Sequence, residues 1–222
     1  MNNILGLGVS VLFITLILGI STLCLHLRWF SQEASRKFIH IGVSNWWIIA
    51  MIFFDTWYWA SIVPSIFIVL NTISYKTKLV KAMERGESDS LGTIYYPISL
   101  LILTILFFGF FPEYRWVGLI GVLVMGYGDG FAAIIGKNIA SRKLIQEKSL
   151  AGSLSMFLIS WVVSVIPLIL FLQSPSIYYA LLIALIPAGV ATLLELFSHD
   201  GIDNLTVPIG TSVILFLLLL LL

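Results

Sequence analysis

A single cysteine, Cys24, leaves no internal disulfide to form and no cysteine cage for a metal. Charge is nearly as scarce. Asp, Glu, Lys and Arg make up 10% of the 222 residues and balance to a formal +1. No lysine and arginine cluster is dense enough to neutralise a run of phosphates, which gives no reason to expect nucleic-acid binding. Internal repeats, low-complexity linkers and segments polar enough for a soluble domain are also missing. A P-loop is missing too: "GFAAIIGKN" holds five residues between Gly130 and Gly136 where the motif needs four, and Asn138 follows Lys137 in place of Ser or Thr.

What is present is apolar. Hydrophobic residues account for 59% of the chain, well above the roughly 45 to 50% of a soluble domain. Apolar runs of membrane-spanning length fall at about 4–25, 38–54, 57–75, 92–111, 116–136, 150–172, 177–197 and 207–222. The sequence therefore predicts an all-α, polytopic transmembrane helical bundle of about eight spans, forming one integral-membrane domain over 1–222. The second and last runs are short, which leaves seven as the other count. The first run lacks a basic leader and a small-residue cleavage site, so it reads as a retained helix.

Basic residues segregate to alternate loops. Arg28, Arg36 and Lys37 lie in the first, Lys76, Lys78, Lys81 and Arg85 in the third, and Lys137, Arg142, Lys143 and Lys148 in the fifth; only Arg115 falls on the other side. The positive-inside rule then puts the N-terminus outside and the odd loops in the cytoplasm. The unusual polar stretches "RKFIH", "ESDSLGTIYYP", "GDG", "EKSLAGS" and "LLELFSHDGIDNLTVP" all reach that cytoplasmic face. A transporter site near the midplane would distribute them differently. Chemistry on a membrane lipid with a water-soluble co-substrate fits them better.

Asp129 is the deepest of these charges, and an ionisable side chain inside a span marks a functional site by default. Gly126 and Gly130 flank it with the spacing of close helix packing, and Gly128 adds a third small step. Lys148 stands at a helix start with Ser149 beside it and Gly152 and Ser153 one turn on, a plausible phosphate cradle if the first N–H groups are free. Arg36, His40 and Ser44 share one helical stripe. Asp129, Glu195, Asp203 and Asn204 offer hard oxygen donors, which suit Mg²⁺ carried on a nucleotide better than zinc. Asp200 reads as part of a solvated turn, and Asn71 and Ser74 as interhelical hydrogen-bonding groups. Thr93, Tyr95, Tyr96 and Pro97 interrupt the start of the fourth span, either as irregular backbone lining a substrate cavity or as a simple Gly/Pro helix start. Trp46, Trp47 and the "WYW" at 57–59 read as an aromatic belt on the outer face.

Taken in order, "RKFIHIGVS", "LGTIYYP", "GDGFAAIIGK", "EKSLAGSLSMF" and "DNLTVP" resemble the membrane-embedded CTP-dependent lipid-alcohol kinases. That group comprises the phytol, farnesol and dolichol kinases and the yeast-type diacylglycerol kinase, relatives of the phosphatidate cytidylyltransferases. The resemblance runs from Arg36 to about Pro208. It implies a multi-pass membrane enzyme with CTP as phosphate donor, Mg²⁺ as cofactor and a long-chain alcohol as acceptor, working at the cytoplasmic face. It further implies catalytic roles for Asp129, Asp203 and Lys148, with Asp129, Asp203 and Glu195 at the metal. Arg36, Lys37, His40, Gly128, Gly130, Lys137, Ser149, Gly152, Ser153 and Asn204 would serve the nucleotide and its phosphates. Thr93, Tyr95, Tyr96, Pro97 and Glu195 would form the alcohol pocket. In the cytidylyltransferases an Asp is followed by a basic residue, whereas here Asn204 follows Asp203. That favours the kinase and leaves transfer of CMP to a lipid phosphate as the alternative, with a non-enzymatic transporter or subunit third. Acceptor chain length and oligomeric state are not encoded in any of these motifs.

Overall fold

A computed structural model describes residues 2–77, 91–172 and 176–221. Lys78, Lys81, Arg85 and the first four residues of "ESDSLGTIYYP" lie outside them. Among the described residues the fold is helical throughout: α1 Asn3–His26, α2 Gln32–Ser44, α3 Trp46–Phe53, α4 Trp57–Thr77, α5 Gly92–Thr104, α6 Arg115–Leu123, α7 Gly130–Asn138, α8 Leu150–Phe171, α9 Ile177–Ile183, α10 Leu185–Phe197 and α11 Asp203–Leu221. Two π-helical stretches, Ile105–Phe110 and Val124–Asp129, extend α5 and join α6 to α7. Seven helical stretches among the described residues are long and apolar enough to cross a membrane, making this an integral membrane protein.

The segment read as a second span is not one helix. Asn45 breaks it into α2 and α3, because its side-chain Nδ2 donates to the Ile41 and Gly42 carbonyls and competes with the helix ladder. The two short helices nevertheless run antiparallel along the length of α1. Ser21 and Ser35 hydroxyls meet at 2.6 Å, and Trp46 Nε1 donates to Ser10 Oγ at 2.9 Å. At one end of the bundle Asp55 N–H donates to Asn3 Oδ1, and Arg115 Nη2 donates to the Asp55 carbonyl at 3.0 Å. Since α1 is 24 residues long, about 36 Å at a rise of ~1.5 Å per residue, Glu33, Arg36 and Lys37 belong to the opposite end.

The aromatic belt expected at Trp46 and Trp47 is corrected by their burial at 1% and 0% exposure. Trp47 Nε1 donates to the Arg115 carbonyl, and its ring fills the space left by the missing side chain of Gly118. Tryptophan favours the membrane interface, but α3 is packed inside the bundle. Trp57 and Tyr58 do face outward, at 46% and 55% exposure.

The most enclosed helix is the one that carries Asp129. From Trp116 to Met125 every residue is buried, with α2, α8 and α11 packed around it. An aspartate is tolerated here because its surroundings are protein and not lipid.

The start of the fourth span is a regular helix, α5, with Pro97 inside it. Irregular backbone is therefore not what places Thr93, Tyr96 and Pro97. Pro97 has no N–H to donate to the Thr93 carbonyl one turn back, and Asn71 Nδ2 from α4 takes that carbonyl at 2.7 Å. The interhelical role read for Asn71 is thus observed. Asn71→Ala is predicted to lower stability by about 1 to 3 kcal/mol by orphaning a part-buried carbonyl. Adding Pro97→Ala restores an intrahelical donor, so the double variant should recover much of the loss in detergent unfolding.

Candidate active site

Three glycines control how closely α2 and α8 approach the central helix. A Cβ on Gly126 would collide with Ser44 and the His40 carbonyl of α2, one on Gly130 with Ile41, and one on Gly128 with Met156 and Ser160 of α8. The small-residue pattern thus serves helix packing. Gly128 and Gly130 touch protein and line neither of the two cavities described below. The π-helical turn Val124–Asp129, a form that recurs at functional sites, ends on the aspartate itself.

Close approach of α2 delivers Lys37 to Asp129. The two are buried and paired at 2.5 Å, linking residues far apart in sequence. A second, part-buried pair, Lys148 Nζ with Glu195 Oε1 at 2.5 Å, joins the start of α8 to α10, and the same ammonium also donates to the Glu195 backbone carbonyl. Arg36 pairs with Glu33 at 2.6 Å one turn before it. Burial by itself would raise the Glu33 carboxyl, but the guanidinium more than offsets this and holds it below the ordinary carboxylate value.

These side chains surround one polar cavity of about 320 Å³. Its cations are Arg36, Lys37, Lys137, Lys143 and Lys148, and its carboxylates are Glu33, Asp129, Glu195 and Asp203. Ser149, Gly152 and Ser153 form part of the wall, and Gly136 packs against Gly152 there. A second, mostly apolar cavity lies across α2. Tyr96, Pro97, Thr93 and Asn71 line one side of it, and His40 and Val43 the other. The His40 and Tyr96 ring centroids are 4.3 Å apart, and the Tyr96 hydroxyl is buried without a hydrogen-bond partner.

Arg36 lines both cavities. Asp203 and Asn204 also divide between them, Asp203 facing the polar one and Asn204 the apolar one. Both are buried, with Asn204 donating to Asp203 Oδ1 from its backbone and its side chain. Asp200 is exposed, in a left-handed turn with Gly201, as read from the sequence.

Several sequence-predicted residues therefore converge, and others are redistributed. Asp129, Asp203, Lys148, Arg36, Lys37, Lys137, Ser149, Gly152 and Ser153 share the polar cavity. Glu195, assigned to both the alcohol pocket and the metal, sits only with the polar group. His40 and Asn204, assigned to the nucleotide, line the apolar cavity. Tyr95 lines neither. The α8 start does not offer free amides: Leu150 N–H donates to the Arg142 carbonyl, Ala151 N–H to Ser141 Oγ and Gly152 N–H to Ser149 Oγ. An anion there would meet lysines and hydroxyls, not a backbone nest. Lys143 and Glu33 were missed as cavity residues. For Lys143 a signal existed in its place five residues before Lys148, since the intervening turn closes by a bridge between Lys143 and Ser149.

Among the described residues no three His, Cys, Asp or Glu side chains come together as a cage for a metal. The polar cavity does hold three buried carboxylates, and Glu195 Oε2 has no hydrogen-bond partner. That donor set fits Mg²⁺ arriving on a polyphosphate, since this ion commonly takes one or two carboxylates and completes its shell with phosphate oxygens and water.

A helical membrane protein with a cation-rich cavity at one bundle end and an apolar cavity beside it has the layout of an enzyme that brings a phosphorylated solute and a lipid together. No protein-family model matches the chain, and no solved structure matches it. It is 31% identical over 195 residues to a phytol kinase of Synechocystis sp., covering 82% of this chain and 78% of the relative. It is 30% identical over 224 residues to a probable chloroplastic phytol kinase 1 of Oryza sativa subsp. japonica (86% and 66%), and 30% over 206 residues to phytol kinase 1 of Arabidopsis thaliana (84% and 66%). The chain belongs to the phytol kinase family of lipid-alcohol kinases.

The buried Lys37–Asp129 pair generates a stability test. Lys37→Met should lower unfolding free energy by about 3 to 5 kcal/mol, because it strands a buried carboxylate. Combining it with Asp129→Asn should return most of that loss, measured by unfolding of the purified protein in detergent.

Proposed function

We propose that this protein transfers the terminal phosphate of CTP to the hydroxyl of a long-chain isoprenoid alcohol of the phytol type, with Mg²⁺, at the cytoplasmic face of a membrane. The observation that carries the reading is the meeting of the two cavities at Arg36, with Asp203 and Asn204 adjacent in sequence and facing one cavity each. The polyphosphate occupies the polar cavity, where five cations offset its charge. The alcohol occupies the apolar cavity with its hydroxyl at the boundary. Concentration of Lys and Arg at that end of the bundle supports the cytoplasmic orientation.

Phosphoryl transfer asks for positioning and charge stabilisation more than for covalent chemistry. Arg36 touches both reactants and orients the γ-phosphate toward the hydroxyl. Lys148 and Lys37 stabilise charge on the phosphate oxygens while remaining tethered to Glu195 and Asp129. Asp203 accepts the hydroxyl proton as the new oxygen–phosphorus bond forms and the bond to the departing nucleoside diphosphate breaks. Asn204 steadies Asp203. Mg²⁺ would be held by one or two of the cavity carboxylates, Asp129 and Glu195, with phosphate oxygens and water completing its shell, and would supply electrostatic neutralisation of the phosphate oxygens. His40 and Tyr96 lie on the acceptor side, where the Tyr96 hydroxyl can hydrogen-bond the alcohol.

Purified protein given phytol and CTP labelled on either the γ- or the α-phosphate should yield a lipid carrying only the γ-label. An α-labelled lipid would contradict the reading and indicate cytidylyl transfer. Asp203→Asn should reduce turnover by about 10² to 10⁴ while the melting temperature in detergent stays near that of the parent.

A further inference from the structure

The apolar cavity is too small for the molecule it is proposed to receive. Its volume is about 60 Å³, room for about four to six waters at the ~10 to 15 Å³ that each needs by this measure. A membrane-resident isoprenoid alcohol can place only its hydroxyl end there, and most of the chain must lie elsewhere. The floor is closed. Trp46 ends the cavity, 1% exposed, with its indole N–H held by Ser10 and Phe54 beside its ring.

Two of the side walls are tied shut. The pair α4 and α5 packs closely and is joined by the bond from Asn71 to the Thr93 carbonyl. The pair formed by α1 with α2 and α3 is joined by the Ser21–Ser35 and Ser10–Trp46 bonds. Between these pairs, α1 and α4 both line the cavity, through Ile14 and Leu18 on one and Pro64 and Phe67 on the other, yet meet at only a few points. Pro64 removes a backbone donor inside α4 at this level. Neighbouring residues on the outer faces, Leu12 and Leu16 of α1 and Ile66 and Leu70 of α4, are exposed and apolar, as a lipid-facing surface requires.

Resting on the lipid-alcohol kinase reading, we propose that the seam between α1 and α4 is a lateral port through which the alcohol enters and its tail remains in the bilayer. Leu18 and Phe67 then read the first carbons beyond the hydroxyl, and the length of chain beyond them is not measured. A larger apolar groove of about 530 Å³, bounded by Met51, Leu123, Ile166 and Phe171, shares no lining residue with either cavity and does not hold the tail.

A long isoprenoid alcohol carrying a diazirine in mid-chain, photolysed with the full-length protein in lipid nanodiscs and mapped by peptide mass spectrometry, should label α1 and α4. Phe67→Trp, which narrows the seam, should shift the ratio of kcat/KM for a long branched alcohol over a one-isoprene alcohol downward by about tenfold. Label in the groove between α3, α6 and α8, or spread evenly over the lipid-facing helices, would overturn the port, as would an unchanged ratio in the variant. If no alcohol is phosphorylated by the parent protein, the kinase reading fails instead, and the label map alone decides the port.

Discussion

The ion pair between Lys37 and Asp129 is the constraint on which the remaining arrangement depends. Two opposite charges buried between helices are tolerated only in each other's company, so the pair fixes the position of α2 against the central helix. That position makes α2 a partition. One of its faces carries Lys37 toward the polar cavity, the other carries His40 and Val43 toward the apolar cavity, and Arg36 stands at the edge between them. Gly126 and Gly130 matter because they let the partition come close enough for the pair to form, while Gly128 does the same for α8.

The chemistry of the polar cavity differs from that of a P-loop in its source of positive potential. The amides at the start of α8 are occupied by protein acceptors, so a phosphate there would meet side-chain cations in their place. Three of those cations, Arg36, Lys37 and Lys148, are already engaged with carboxylates, which keeps the cavity nearly neutral before a polyphosphate arrives. Such a cavity stores charge of both signs in a place where an anion and its metal can exchange partners with the protein.

Much of this was legible in the sequence. Asp129 drew attention because it is costly in lipid, and motifs from distant segments shared one membrane face, which is how they come to line one cavity. Contacts that depend on helix rotation were not legible. Nothing in "RKFIH" says that Lys37 faces Asp129 while His40 faces Tyr96, and nothing at Asn204 says that it lines a different cavity from its neighbour Asp203. The break at Asn45 was hidden because the run after it is as apolar as a span should be, and Trp46 and Trp47 were read as interfacial because tryptophan favours that level of a membrane. The bond from Asn71 to the carbonyl orphaned by Pro97 joins segments that only the fold brings together.

The central claim is that a nucleotide site and an alcohol site meet at Arg36. Steady-state kinetics with both substrates varied, on Arg36→Gln beside Lys143→Gln, tests it most directly. The account predicts that Arg36→Gln raises KM for CTP and for the alcohol together, whereas Lys143→Gln, which lines only the polar cavity, raises KM for CTP alone. An Arg36 variant that alters KM for one substrate and leaves the other unchanged would contradict it.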